Sequence, residues 1–222
     1  MDTNQVSENL QVIRTLMERS ALYRRALAPI MILAGLTGSV AAVAGCLLKI
    51  ESAPGFVGYW MGVALIGVAG AFLLVRRQAM KSAEPFWSPP ARRVAQALTP
   101  SLTAGFLISV LVFIVWSEPP TADPPTGMSN DAGNLIWLPA VWAVFYGCAM
   151  HAAGFFTPRG LRIFGWLFIA AGMAILFGLL LVHRQDCPDA SWQGSHWLTG
   201  ALFGFLQLAY GAYLFLTGAE RN

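Results

Sequence analysis

The chain predicts an all-α polytopic membrane protein: six transmembrane helices behind an N-terminal amphipathic helix on the cytoplasmic surface. Three observations carry that expectation. Of the 222 residues, 56% are hydrophobic and only 11% charged, against about 25% charged in a soluble domain. The apolar residues gather in six runs of about 20, the length that crosses about 30 Å of hydrocarbon. The Lys and Arg residues between those runs fall almost entirely on one side, as the positive-inside bias of short loops requires. Six spans use over half the chain, which leaves no room for a separate soluble domain of ordinary size. The pI near 9.0 does not point to direct nucleic-acid binding, because the net charge is only +3 and the basic residues flank apolar runs.

Residues 1–26 are polar with helical periodicity. Leu10, Ile13, Leu16, Met17 and Tyr23 recur at steps of three and four, with Glu8, Arg14, Glu18, Arg19, Arg24 and Arg25 on the other faces. This reads as an interfacial helix that anchors the chain or docks a soluble partner or second subunit. The first span is expected over residues 27–48. Pro29 lies in its first turn, where a missing N–H costs nothing, and the run is too long for the apolar core of a cleavable signal peptide. Lys49 and Glu51 mark the outer surface, and Ala53-Pro54-Gly55 is expected to form the turn.

The second span is expected over 56–75, ending at Arg76 and Arg77. The segment 76–98 then reads as the longest inner loop. Its Pro85-Phe86-Trp87-Ser88-Pro89-Pro90 run opposes a long helix, and Arg92 to Leu98 is expected to form a short interfacial helix. The third span is expected over 99–116. The outer segment 117–133, rich in Pro and Asp and without Lys or Arg, reads as an irregular surface loop. The fourth span is expected over 134–153, a tight basic turn at Thr157-Pro158-Arg159-Gly160, the fifth span over 161–182, an outer loop over 183–195, the sixth span over 196–216, and a short tail over 218–222. Residues 27–117 and 134–217 show no internal repeat.

The charge tally sets the orientation. Arg14, Arg19, Arg24 and Arg25, then Arg76, Arg77, Lys81, Arg92 and Arg93, then Arg159 and Arg162, then Arg221 fall on one side, and only Lys49 and Arg184 on the other. Both termini are therefore expected in the cytoplasm.

The interiors of the spans carry no Asp, Glu, Lys or Arg, although proton- and sodium-coupled carriers usually need such a group or a broken helix at mid-depth. His151, one turn after Cys148 on the same face near the inner end of span four, could share one ligand with it, but is expected to be a histidine bonded to a backbone carbonyl beside a small apolar cysteine. In the outer loop His183, Asp186, Cys187, Asp189 and His196 sit close in sequence. Of these His183, Cys187 and His196 are the candidate ligands for zinc, copper or haem, although their spacing matches no strong metal motif. The competing reading is a polar hairpin with Trp192 and Trp197 at the interface. Cys46 and Cys187 share a compartment that permits a disulfide, with free thiols as the simpler expectation. Gly58 and Gly62 in span two, and Gly200 and Gly204 in span six with Gly211 beyond, form small-residue faces suited to close helix packing or a homo-oligomer seam. Gln207, Tyr210 and Tyr213 could pack there or line a polar cavity. The sequence has no Walker loop, HExxH or GxSxG, so nothing in it speaks for soluble enzymology.

The stretch Glu8-Asn9-Leu10-Gln11-Val12-Ile13-Arg14-Thr15-Leu16-Met17-Glu18-Arg19 before a Pro-containing first span, the run Trp137-Leu138-Pro139-Ala140-Val141-Trp142, and Phe156-Thr157-Pro158-Arg159 with Gly165-Trp166 resemble a group of small, uncharacterised bacterial six-span inner-membrane proteins. These fragments cover 24 of the 222 residues and include no catalytic signature. The resemblance implies a bacterial inner membrane and a gene beside a small winged-helix regulator, and it carries over no functional residue.

Three functional classes follow. The first is a non-enzymatic regulatory or scaffold component acting through its cytoplasmic face, with Arg14, Arg19, Arg92 and Arg93 as candidate partner-binding residues. The second is a small-solute or lipid transporter or channel. The third is a metal- or haem-dependent membrane protein using the outer His/Cys cluster. The bilayer is the one partner that composition itself requires, and no cofactor is demanded by the sequence.

Overall fold

The protein is all-α in a computed structural model that describes residues 27–81, 89–117, 135–157, 159–182 and 192–219. The expected amphipathic helix over 1–26, the Pro- and Asp-rich segment, most of the 183–195 loop and the end of the tail lie outside the described residues. Helix α1 covers Leu27–Leu47, α2 Ala53–Lys81, α3 Pro89–Ser117, α4 Trp137–Ala153 and α5 Arg159–Val182. Helix α6 runs from Trp192 through a π-helical segment, Ala201–Phe205, to Ala219.

Five of these helices (all but α4) are long and apolar enough to cross a membrane, and the protein is a multi-pass membrane protein on that ground. Helix α4 has 17 residues, about 25 Å at 1.5 Å per residue, short of the expected 20-residue span. Its path nonetheless runs along the bundle from one end toward the other. Gly105 of α3 sits on Phe145 and Trp142 of α4 bonds Ser109 of α3, while Gly147 and Gly172 meet Gly165 and Ala140 across α4 and α5. These pairings make α4 antiparallel to both neighbours, so it returns the chain to the end where α5 begins. Leu138, Pro139, Ala140, Ala143, Gly147, Ala149, Met150 and Ala153 are buried along it. It packs against α3, α5 and α6.

The remaining pairings complete an up-and-down order. Tyr59 bonds the Ala41 carbonyl and Leu33 covers Gly70, which sets α1 antiparallel to α2. Gly58 faces Phe113 of α3, and Gly35 and Gly211 of α1 and α6 meet Leu208 and Ile32. Leu27 and the last turn of α6 therefore lie at one end of the bundle, with Arg76, Arg77, Arg92, Arg93 and Arg159. The opposite end holds Lys49, Glu51, Ser117 and Trp192.

Several boundaries differ from the sequence expectation. Ala53-Pro54-Gly55 is the first turn of α2 and not a loop. Ser52 accepts the Gly55 N–H at 3.3 Å as an N-cap, and Pro tolerates a first turn. The reversal falls just before, where Ile50 N–H reaches the Gly45 carbonyl at 3.3 Å and Lys49 N–H reaches that of Cys46 at 3.2 Å. With Lys49 at φ 51°, this is a Schellman ending of α1.

The expected inner loop 76–98 is mostly helix. Helix α2 continues through Arg76 and Arg77 to Lys81, and α3 begins at Pro89 and absorbs both the expected interfacial helix and Pro100. Pro89 and Pro90 sit in a first turn, where the helix needs no N–H from them. Each of α2 and α3 has 29 residues, about 43 Å long, which exceeds the hydrocarbon thickness of about 30 Å.

Two apolar cores fill the bundle. At the basic end Ala28, Met31, Ala153, Leu161, Phe164, Phe168 and Leu214 are buried together. At the other end Ala41, Ala42, Phe56, Val57, Trp60, Leu135 and Leu138 are. Leu65, Ile66, Val68, Phe72 and Leu73 of α2 are exposed, as a lipid-facing surface must be.

Candidate functional site

Close backbone approach builds the frame that holds the polar groups. A Cβ built on Gly38 would lie 2.6 Å from the Phe203 carbonyl oxygen, and one on Gly204 2.7 Å from the Ser39 backbone nitrogen. Gly200 presses against Ala42 in the same seam. The small-residue face of Gly200, Gly204 and Gly211 is thus spent on α1, within one chain, which is how apolar helices gain van der Waals contact where lipid supplies no hydrophobic drive. The other expected face behaves differently. Gly58 meets only the Phe113 ring at 3.4 Å, and nothing lies within 4 Å of a Cβ on Gly62.

At the end opposite the basic residues, His196 is 1% exposed and makes two hydrogen bonds. The Trp60 indole donates to His196 Nδ1 at 3.2 Å, and Nε2 lies 3.2 Å from the Ile50 carbonyl. An indole only donates and a carbonyl only accepts, so the ring is neutral with its proton on Nε2. The Schellman turn after α1 aims the Ile50 carbonyl at that proton. Around the pair, Phe56 contacts His196 edge-on at 5.0 Å, Trp142 at 6.1 Å and Trp192 at 6.0 Å between ring centroids. Tyr59 donates to the Ala41 carbonyl at 2.6 Å. The Trp142 indole donates to Ser109 at 2.8 Å, which donates to the Gly105 carbonyl at 2.9 Å.

This clasp joins α1, α2 and α6. It also bears on the candidate ligand set His183, Cys187 and His196: both ring nitrogens of His196 are occupied by protein, and the other two residues lie outside the described segments. Among the described residues no three of His, Cys, Asp and Glu converge on a metal-sized site. Cys46 and Cys148 are free thiols.

Near mid-depth, Gln207 is 4% exposed. Its amide nitrogen donates to the Tyr146 hydroxyl at 3.0 Å, while its carbonyl oxygen is buried without a partner among the described residues. Phe168 and Phe203 pack on the Tyr146 ring at 4.9 and 5.6 Å. One turn earlier α6 widens to π geometry, with the Leu206 N–H on the Ala201 carbonyl. Such widening is frequent at functional positions. Of the other expected cavity residues, Tyr210 stacks on Phe164 at 4.2 Å and Tyr213 is exposed on the outer surface of the bundle.

His151 contacts the rings of Phe155 and Trp166 at 5.3 and 5.5 Å. Its Nδ1 has no partner among the described residues, so the expected bond to a backbone carbonyl is absent at that nitrogen. The Ser195 hydroxyl is likewise buried without a partner. Sequence reasoning missed Tyr146, Trp60 and Ser109. Trp60 sits two turns into α2, and only the tertiary pairing with α6 gives it a role.

At the basic end Arg76, Arg77, Arg92, Arg93 and Arg159 are exposed, and Arg162 lies over the Phe155 ring at 5.2 Å. No acidic residue accompanies them among the described residues at this end. Arg14 and Arg19 lie outside the described segments. No family model, curated protein or solved structure matches the chain.

Proposed function

We propose that this multi-pass membrane protein is a non-enzymatic regulatory or scaffold component of a bacterial inner membrane, with its basic end and both termini in the cytoplasm. The observation that carries the reading is where the exposed charge lies. Inside the bundle the paired aromatic and imidazole groups are spent on helix-to-helix bonds: Trp60 with His196, His196 with Ile50, Trp142 with Ser109, Tyr59 with Ala41. At the basic end the long helices α2 and α3 carry exposed Arg76, Arg77, Arg92 and Arg93 past the apolar layer. Such a surface suits anionic headgroups and an acidic face of a soluble partner. The resemblance to small bacterial six-span proteins supports the compartment.

The test is crosslinking in native membranes followed by co-purification. A soluble partner held by the wild type and lost from Arg92→Glu/Arg93→Glu supports the reading. A monomer that crosslinks to nothing overturns it.

A second reading, a small-solute or lipid transporter, is favoured by one observation, the buried Gln207 amide at mid-depth, which is only partly paired among the described residues. Solute flux through reconstituted vesicles that falls in Gln207→Met would select it.

A further inference from the structure

The hairpin of α4 and α5 carries a basic and aromatic cluster at its basic end. The Arg162 guanidinium lies over the Phe155 ring at 5.2 Å from its centroid, and the Arg162 stem crosses Gly154, where a Cβ would collide with it. His151 stands edge-on to Phe155 at 5.3 Å and to Trp166 at 5.5 Å. Trp166 follows Arg162 by one helical turn, so the two share a face of α5. Phe155 is 64% exposed and Trp166 58%, and Arg159 is exposed one turn before Arg162. The cluster therefore faces out of the bundle.

Depth decides what such a cluster meets. From Arg162 to Val182 the helix rises about 30 Å, which is the thickness of the hydrocarbon layer, and the polar His183 and Arg184 come next in the chain. Arg162 thus stands at the edge of the apolar layer, and Arg159 about 4–5 Å beyond it, among lipid headgroups. Trp166 lies about 6 Å to the apolar side of Arg162, where acyl chains begin. Chemistry then selects the lipid. A guanidinium over a ring keeps the N–H groups of its own plane free to donate, and that planar fork matches phosphate oxygens. No acidic side chain lies beside Arg159 or Arg162 among the described residues. The amine of a zwitterionic headgroup finds no carboxylate here, whereas a headgroup of net negative charge answers the two cations.

We propose that Arg159 and Arg162, with Phe155, His151 and Trp166, form a seat for one anionic phospholipid of the leaflet at the basic end. The phosphodiester sits on the two guanidiniums, and the first acyl methylenes run along Trp166 and the exposed Ile163. Basic clusters at this depth recur as sites for anionic headgroups. The seat needs only the multi-pass fold, and it stands whether or not Arg92 and Arg93 dock a soluble partner.

Native mass spectrometry of the full chain, released from micelles carrying equimolar phosphatidylglycerol and phosphatidylcholine with matched acyl chains, tests it. The wild type should retain its first phosphatidylglycerol over phosphatidylcholine by about fivefold or more, the ratio that one arginine supplies near an anionic headgroup. Arg159→Gln/Arg162→Gln should abolish that preference. Arg76→Gln/Arg77→Gln removes the same charge from the same end of the bundle and should reduce it far less. Equal retention of the two lipids by the wild type overturns the seat, and that result needs no variant to fold. A loss in Arg76→Gln/Arg77→Gln as large as that in Arg159→Gln/Arg162→Gln overturns it too, since the attraction then belongs to the charge of the whole end and not to α5.

Discussion

Replacing His196 by Phe keeps a ring of similar size and removes both hydrogen bonds. Trp60 Nε1–H and the Ile50 carbonyl are then left buried, each costing about 1–3 kcal/mol, so the single change should destabilise by about 2–5 kcal/mol. Trp60→Phe loses the same indole bond plus part of a ring that is 5% exposed, and should cost about 1–3 kcal/mol. The bond itself is long, at 3.2 Å, which places it in the modest part of the range. Interhelical bonds inside membrane bundles couple by about 0.6 kcal/mol on average and about 1.7 at most. The double variant should therefore be less destabilised than the sum of the singles by about 0.5–1.5 kcal/mol. Equilibrium unfolding in mixed micelles, followed by near-ultraviolet circular dichroism, gives all four stabilities. Strict additivity, within about 0.3 kcal/mol, or a His196→Phe variant as stable as the wild type, would refute the clasp.

Other positions give sharper contrasts. Gly38→Ala should cost more than about 2 kcal/mol, since backbone of α6 lies 2.6 Å from the new methyl and cannot rotate away. Gly62→Ala, with open space around it, should be neutral or gain up to about 1 kcal/mol of helix propensity, and unfolding of the pair checks the difference. Lys49→Gly should stabilise by about 1 kcal/mol, because Lys49 occupies the left-handed region at φ 51° that a residue with a Cβ enters at a cost; a thermal melt that does not rise would contradict the Schellman ending. Ser109→Ala should lose the Trp142 bond at 2.8 Å and cost about 0.5–2 kcal/mol, read as a weaker melt with the bundle intact.

The all-α membrane architecture was legible because hydrophobic length and charge placement are properties of single segments. Helix boundaries were less so. The Pro-rich stretch before Arg92 read as a break, yet Pro89 and Pro90 open α3, since a first turn lacks N–H partners in any case. The GxxxG pair of α6 and that of α2 look alike in sequence. Only the path of α1 decides that Gly204 is covered and Gly62 is open. Gln207 stood out as a lone amide in an apolar run, whereas Tyr146 resembled any interfacial aromatic until α4 placed it opposite. His196 was read as a metal ligand because sequence neighbours supplied Cys and His. The partners it uses, Trp60 and Ile50, lie well over a hundred residues away, a distance that no local pattern spans.

The proposed topology has six crossings with the arginine-bearing end in the cytoplasm, and thiol accessibility in whole cells tests both parts together. In a background with Cys46, Cys148 and Cys187 changed to Ser, single cysteines replace Glu51, Arg93 and Thr157. A membrane-impermeant maleimide should label Glu51→Cys in intact cells, and Arg93→Cys and Thr157→Cys only after permeabilisation. Labelling of Arg93→Cys in intact cells would invert the orientation, and Thr157→Cys reacting alongside Glu51→Cys would show that α4 does not cross.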